Sequence, residues 1–313
     1  MNNLSAAISI PEIGVLAGLC SAGYEPWRAP SSGFDIQNTL VPRITYSGTR
    51  LEAYGQSIPK EDVGGDLADL VTDGGDVIAY VADVSGHGLR AGVLMGMIKT
   101  AVRYGLLLGR PMAKILDDLN LVLPSVKTPN MFATLAALRF DRPNEVEYIS
   151  AGHLPLLHYR RRSGDVGRHA VPQFPLGLFA AAGYVPQRIR YEAGDLFALV
   201  TDGVVETGEE RDAAYGFERL SQIVSDLADR PLPEVAEAVN AEVTRHGAHE
   251  DDRTVLLIRA VLENGSSDPD ASPGQQQADR LDAPEALEAR WRKLLDELTA
   301  ELECDSTDAS EKS

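Results

Sequence analysis

The stretch VADVSGHGLRAG, residues 81–92, ends an apolar run on an aspartate and then passes glycines, a serine and a histidine before helical periodicity begins. Three readings compete for this corner: a Ser85 nucleophile beside a His87 base, a metal site built on Asp83, or a plain strand-to-helix turn. The run before it, residues 76–84, has the length and β-branched content of a buried strand. Similar runs recur at 132–140, 145–151, 155–160, 195–201 and 253–261. Residues 141–144 (DRPN) and 152–154 (GHL) have the shape of hairpin loops and predict antiparallel pairing.

Helical patterns arrive in pairs between these strands. One pair covers 89–108 and 112–123, the other 217–229 and 234–246, each broken by glycine or proline. Paired helices between groups of antiparallel strands predict an α+β fold, a layered α-β-β-α sandwich of two mainly antiparallel sheets flanked by helices. Residues 1–45 show no sustained period and read as a poorly defined lead-in, so the body is expected over 46–262. Residues 263–283 read as an acidic flexible linker. Residues 284–303 place Leu287, Trp291, Leu294, Leu298 and Leu302 on one stripe of an amphipathic helix. This helix is expected to fold back on the body, to self-associate or to meet a partner; residues 304–313 read as a disordered tail.

The chain has 313 residues, 44% hydrophobic and 24% charged, with a formal net charge of −18. Residues 262–313 contribute −9 of this, from 14 acids and 5 bases. So negative a field works against nucleic-acid and anionic-membrane partners. Cys20 and Cys304 are the only cysteines and form no disulfide framework. The apolar piece at 13–23 has no basic residue ahead of it, and no run is long enough to span a membrane, so a cytoplasmic protein is expected.

The acids fall in a pattern. Asp66 lies in EDVGGDLADL (61–70), Asp83 and Asp202 close apolar runs, and Asp251 with Asp252 opens another. Each alone reads as a turn or cap residue. Together, carboxylates at strand ends on one edge of a layered fold converge and repel unless a cation compensates them. Several aspartate oxygens suit a pair of hard, octahedral ions, and glycines beside them let a carbonyl such as that of Val84 approach. No zinc-type Cys/His cluster, G-x-S-x-G elbow, Walker loop or dinucleotide fingerprint competes.

In order, VGGDLAD (63–69), VADVSGHGLRAGVLMG (81–96), FATLAALRFD (132–141), YISAGHLPLL (148–157), PLGL (175–178), LVTDGVVET (199–207), GFERL (216–220) and EDDRTVLLIR (250–259) resemble the SpoIIE/RsbU-like branch of the metal-dependent (PPM) serine/threonine protein phosphatases. The resemblance implies two Mn²⁺ or Mg²⁺ ions, with Asp83 bridging them and positioning the nucleophilic water. Asp66 and the Val84 carbonyl would hold one ion, Asp202 and Asp251 the other, with Asp252 supporting from behind and Asp69 as a further candidate. It also implies a phosphoprotein substrate, such as an anti-sigma-factor antagonist. Leu67 and Ala68 depart from the aromatic pair usual after GGD. His87 does not stand where the eukaryotic-type branch has its general-acid histidine, so His87 and His153 read as turn residues. Arg90 and Arg253 are candidate phosphate contacts and equally surface residues, and Glu206 reads as a loop acid. A catalytically silent binding module of the same fold and a hydrolase of small phosphoesters remain as alternatives.

Overall fold

The computed structural model describes residues 33–179, 182–208, 214–261 and 279–280. In chain order the elements are α1 (Gly33–Leu40), β1 (Ile44–Ser47), β2 (Leu51–Ile58), β3 (Leu67–Asp73), β4 (Asp76–Val84), α2 (Leu89–Leu107), α3 (Met112–Val126), β5 (Ala133–Arg142), β6 (Glu145–Ala151), β7 (Leu156–Arg160), β8 (Asp165–His169), β9 (Gln187–Arg190), β10 (Leu196–Val200), α4 (Asp202–Val205), α5 (Gly216–Asp226), α6 (Leu232–His246), β11 (Arg253–Ala260) and β12 (Asp279–Arg280). One six-stranded sheet runs β1-β2-β11-β10-β7-β8 and the other β12-β3-β4-β5-β6-β9. All pairings are antiparallel except the parallel contact of β12 with β3.

The two-residue period of a strand sorts the apolar residues into three cores. Along β4, Ile78, Tyr80, Ala82 and Val84 pack with α2 and α3, while Val77, Ala79 and Val81 face the other sheet. Along β10, Leu196, Ala198 and Val200 pack with α5 and α6, while Phe197 and Leu199 face inward. Phe140, Tyr191 and Phe197 meet edge to face in the central layer, a geometry favoured by the ring quadrupoles. The result is the expected α-β-β-α sandwich.

Two expectations are corrected. The body begins before residue 46: α1 is ordered ahead of it, with the Gln37 side-chain oxygen accepting from the Gly64 N–H and the Leu40 carbonyl from Lys99. A single two-turn helix is too short to announce itself by periodicity. Residues 152–154 are not a hairpin, because β6 and β7 lie in different sheets; Gly152, at φ 67°, carries the chain across. Residues 141–144 do join paired strands, with Asn144 at φ 59°. The expected linker, C-terminal helix and tail lie outside the described residues, apart from β12. Among the described residues no helix is long and apolar enough to cross a membrane.

Two imidazoles are held neutral in this frame. His153 follows the crossing: its Nδ1 lies 2.7 Å from Thr134 Oγ1, and burial pushes its pKa down to about 4. His169 is likewise lowered to about 4, by burial and then by His158 and Arg160. His158 itself is buried, stacked on Phe197 with Nε2 2.8 Å from Asp195. Since histidine ordinarily titrates near 6.5, the unfolded chain takes up more protons than the fold between that value and about 4. The contribution of these two groups to stability should therefore be complete above about pH 6.5 and fall as pH drops toward about 4, read as a difference in Tm between the parent and His169→Asn that shrinks over that range.

Candidate active site

Strand parity also sorts the acids. Asp83 continues the inward series Val77, Ala79, Val81 to the end of β4, and so faces the other sheet. Asp66 stands two residues before Ala68, on the inward face of β3. Asp202 follows Thr201 at the end of β10, and Asp251 with Asp252 precedes β11 at the neighbouring position. Four chain segments thus deliver carboxylates to one end of the seam between the sheets.

Close backbone approaches hold these segments together. Asp252 is buried, and its two oxygens accept from the Lys60 and Gly65 N–H groups, each at 2.7 Å. A Cβ on Gly65 would stand 2.7 Å from the Val84 carbonyl oxygen, and one on Gly203 would stand 2.0 Å from that of Asp252. Any larger residue at either place would drive the acid-bearing loops apart. Beyond Asp83, Gly86 and Gly88 at φ 92° and 74° turn the chain into α2.

The carboxylates feel one another. Burial raises the Asp83 pKa to about 7, helped by Asp202, Asp251, Asp252 and Glu206, all acids. Asp202 is raised to about 6, by burial, then Asp251 and Glu206. Asp66, 2% exposed, is pushed well up by burial and by Asp83. Its Oδ2 accepts from the Thr201 and Thr254 hydroxyls at 2.7 Å each, and the Thr254 N–H in turn donates to Thr201 Oγ1. Like charges gathered in a partly buried space are what a hard cation compensates, so the donor set, oxygen only, fits Mn²⁺ or Mg²⁺. Asp66, Asp83, Asp202 and Asp251, with the Val84 carbonyl, are the groups that could hold such ions. Among the described residues no three His, Cys, Asp or Glu side chains already close around a single point. The cluster is an open one.

Asp69 is a correction. It lies three residues from Asp66 and therefore on the opposite face of β3, toward α2. There it accepts from Arg103 at 2.7 and 2.8 Å and from the Tyr80 hydroxyl at 2.6 Å, which keeps it ionised below its usual range despite burial. It braces the helical layer and does not back the acid cluster.

Other candidates resolve by their contacts. Ser85 is not aimed at a base: its N–H donates to the Phe132 carbonyl and its Oγ accepts from the Phe132 N–H, closing the mouth of β5. His87 pairs with Glu61 at 2.6 Å. Arg253 is buried against the end of α6, donating to Thr244 Oγ1 and the Ala248 carbonyl. Arg90 is exposed in the first turn of α2. Glu206, read from sequence as a loop acid, faces Asp83 and Asp202 closely enough to raise both. Thr201 and Thr254 went unnoticed in the sequence, although each sits on the inward face within three residues of a candidate ligand. A cavity of about 480 Å³ lies at the opposite end of β10. Its arginines, Arg160, Arg162 and Arg190, pair with Asp165, Glu192 and Glu145, and it has no share in the acid cluster.

Comparison with known proteins bears on the fold and the family. The chain is 27% identical over 177 residues to the phosphoserine phosphatase RsbU of Bacillus subtilis (strain 168), covering 56% of this chain and 53% of that protein. It thus spans about half the length of this relative. The structure of the RsbU and RsbW domains of Rv1364c from Mycobacterium tuberculosis superposes with a TM-score of 0.59 at 23% identity, over 71% of this chain and 62% of that one. The catalytic domain of the serine/threonine protein phosphatase PstP, in complex with two manganese ions, superposes with a TM-score of 0.53 at 16% identity, over 68% and 99%. At such identities the two superpositions speak for the fold. The model of the family described as stage II sporulation protein E (SpoIIE) matches residues 73–261, a stretch that holds Asp83, Val84, Asp202, Asp251 and Asp252 and begins after Asp66. Because that match spans more than half of its length, the chain belongs to the SpoIIE family.

Proposed function

We propose that this protein is a metal-dependent phosphatase that hydrolyses phosphoserine or phosphothreonine on a protein substrate, with a small regulator of the anti-sigma-factor-antagonist kind as its target. The observation that carries the reading is the convergence of Asp66, Asp83, Asp202 and Asp251 at one end of the inter-sheet seam, where burial and mutual repulsion raise the first three. The names of the relatives support it: RsbU is a phosphoserine phosphatase, and PstP is a serine/threonine phosphatase with two manganese ions.

In this reading Asp66, Asp83, Asp202 and Asp251, with the Val84 carbonyl, would hold the cations, and Asp83 would be the central group. Two bound Mn²⁺ or Mg²⁺ ions would supply a nucleophilic water at neutral pH and positive charge for the phosphoryl oxygens. The chain's own part is to fix the carboxylates. Thr201 and Thr254 anchor one oxygen of Asp66 and leave the other to the cluster. Asp252 ties the loop that carries Asp66 to the strand that follows Asp251. Glu206 adds negative charge at the exposed rim, which favours cation entry.

Phosphate release from an aryl phosphate should require Mn²⁺ or Mg²⁺, stop on chelation, and fall at least about 100-fold in Asp83→Asn. Equal turnover by both proteins would reject the reading, and faster turnover of nucleotides than of phosphopeptides or phosphoproteins would move it to a small phosphoester hydrolase. A well-folded parent that binds Mn²⁺ by calorimetry without turning over any of these would be a silent binding module. Thr254→Val should weaken apparent Mn²⁺ affinity about 10- to 100-fold, as loss of a group that orients a ligand does. Asp69→Asn, in contrast, should lower Tm and leave Mn²⁺ affinity unchanged, because its carboxylate serves Arg103 on the other face of β3.

A further inference from the structure

Helix α2 buries one face against the sheet and presents a second apolar stripe outward. Leu89, Val93, Met97, Tyr104 and Leu108, at helical spacing, are 41 to 70% exposed. Beside them a groove of about 150 Å³ runs between α2 and α3, lined by Ala101, Tyr104, Gly105, Ile115, Leu119 and Val122. A water-soluble helix does not ordinarily carry an apolar face on both sides unless something covers the outer one.

The chain supplies a matching segment. Residues 284–303 carry Leu287, Trp291, Leu294, Leu298 and Leu302 at the same spacing. As a helix this stripe would be ~22 Å long against ~28 Å for the stripe on α2, at 1.5 Å per residue. Charge favours the match modestly: Lys99 and Arg103 turn inward to Asp69, Arg90, Arg110 and Lys114 lie outward with the last two gathered on Asp118, and residues 284–303 hold three bases and six acids. The tether is in place as well. β12 pairs Asp279 with Val71 and Arg280 with Thr72 on the outer edge of β3, and Arg103 of α2 bonds Asp69 two residues before that contact. The amphipathic segment therefore starts four residues beyond a point on the sheet edge next to the last turns of α2.

From these observations we infer that residues 284–303 dock as an amphipathic helix on the outer face of α2 and the α2–α3 groove of the same chain. The apolar stripe faces Val93, Met97 and Tyr104, and the acids lie toward Arg90, Arg110 and Lys114. Docking is independent of the phosphatase reading, since it uses none of the aspartate cluster.

Trp27 and Trp291 are the two tryptophans, so Trp27→Phe in the full chain leaves Trp291 as a sole reporter. In dilute protein that sedimentation shows to be monomeric, Trp291 emission should be blue-shifted and protected from iodide. Leu294→Glu with Leu298→Glu should raise iodide quenching several-fold. The same pair should speed hydrogen exchange across residues 89–108 while leaving α5 and α6 unchanged. Val93→Glu with Met97→Glu should release Trp291 from the opposite side. The inference is overturned if Trp291 in the parent is quenched like a free indole, or if its protection appears only as the chain self-associates, which would place a second copy on α2. It is overturned equally if the tail substitutions leave exchange in α2 unchanged, a result that holds even should the α2 variant fail to fold.

Discussion

The pairing of Asp66 with Asp83 follows from a parity constraint. A strand shows its side chains alternately to two faces, and in this sandwich one face meets helices and the other meets a second sheet. An acid at the end of a strand is thus committed by its register to one layer or the other. Asp83 and Asp66 fall on the inward parity of adjacent strands and stand side by side facing the other sheet; Asp69, three residues on, falls outward and meets arginine. The same carboxylate chemistry gives a raised pKa in one case and a lowered one in the other.

Gathering acids is unfavourable in itself, and the fold spends much of its local structure on enforcing it. Glycine at 65 and 203 permits backbone approaches that a side chain would block. Paired threonine hydroxyls fix the orientation of Asp66, and main-chain N–H groups hold both oxygens of Asp252. Acids held together in this way against their own repulsion would cost a bound cation little of its binding free energy in collecting them.

Much of this was legible in the sequence. The run at 76–84, the helix after it and the final strand at 253–260 could be placed from apolar spacing alone, because each is long and strongly periodic. The acids at strand ends could be recognised as a set. What could not be read was anything decided by partners distant in the chain. Residues 152–154 look like a hairpin loop, yet they pass between sheets, since spacing says nothing about which sheet receives the next strand. Helix α1 hides in a lead-in without sustained period and is held by Gln37 and Leu40 contacts that no local pattern encodes. Asp69 could have been excluded by counting from Asp66; Thr201 and Thr254 could have been found by the same count.

The hydrogen bonds from Lys60 and Gly65 to Asp252 join positions 192 and 187 residues apart. Such remote closure is the slow part of folding, because the entropy of bringing the ends together is lost before the contact rewards it. During synthesis the first three strands leave the ribosome long before the residue that clasps their loop. A nascent chain can therefore complete much of its first helical layer before its acids are brought together.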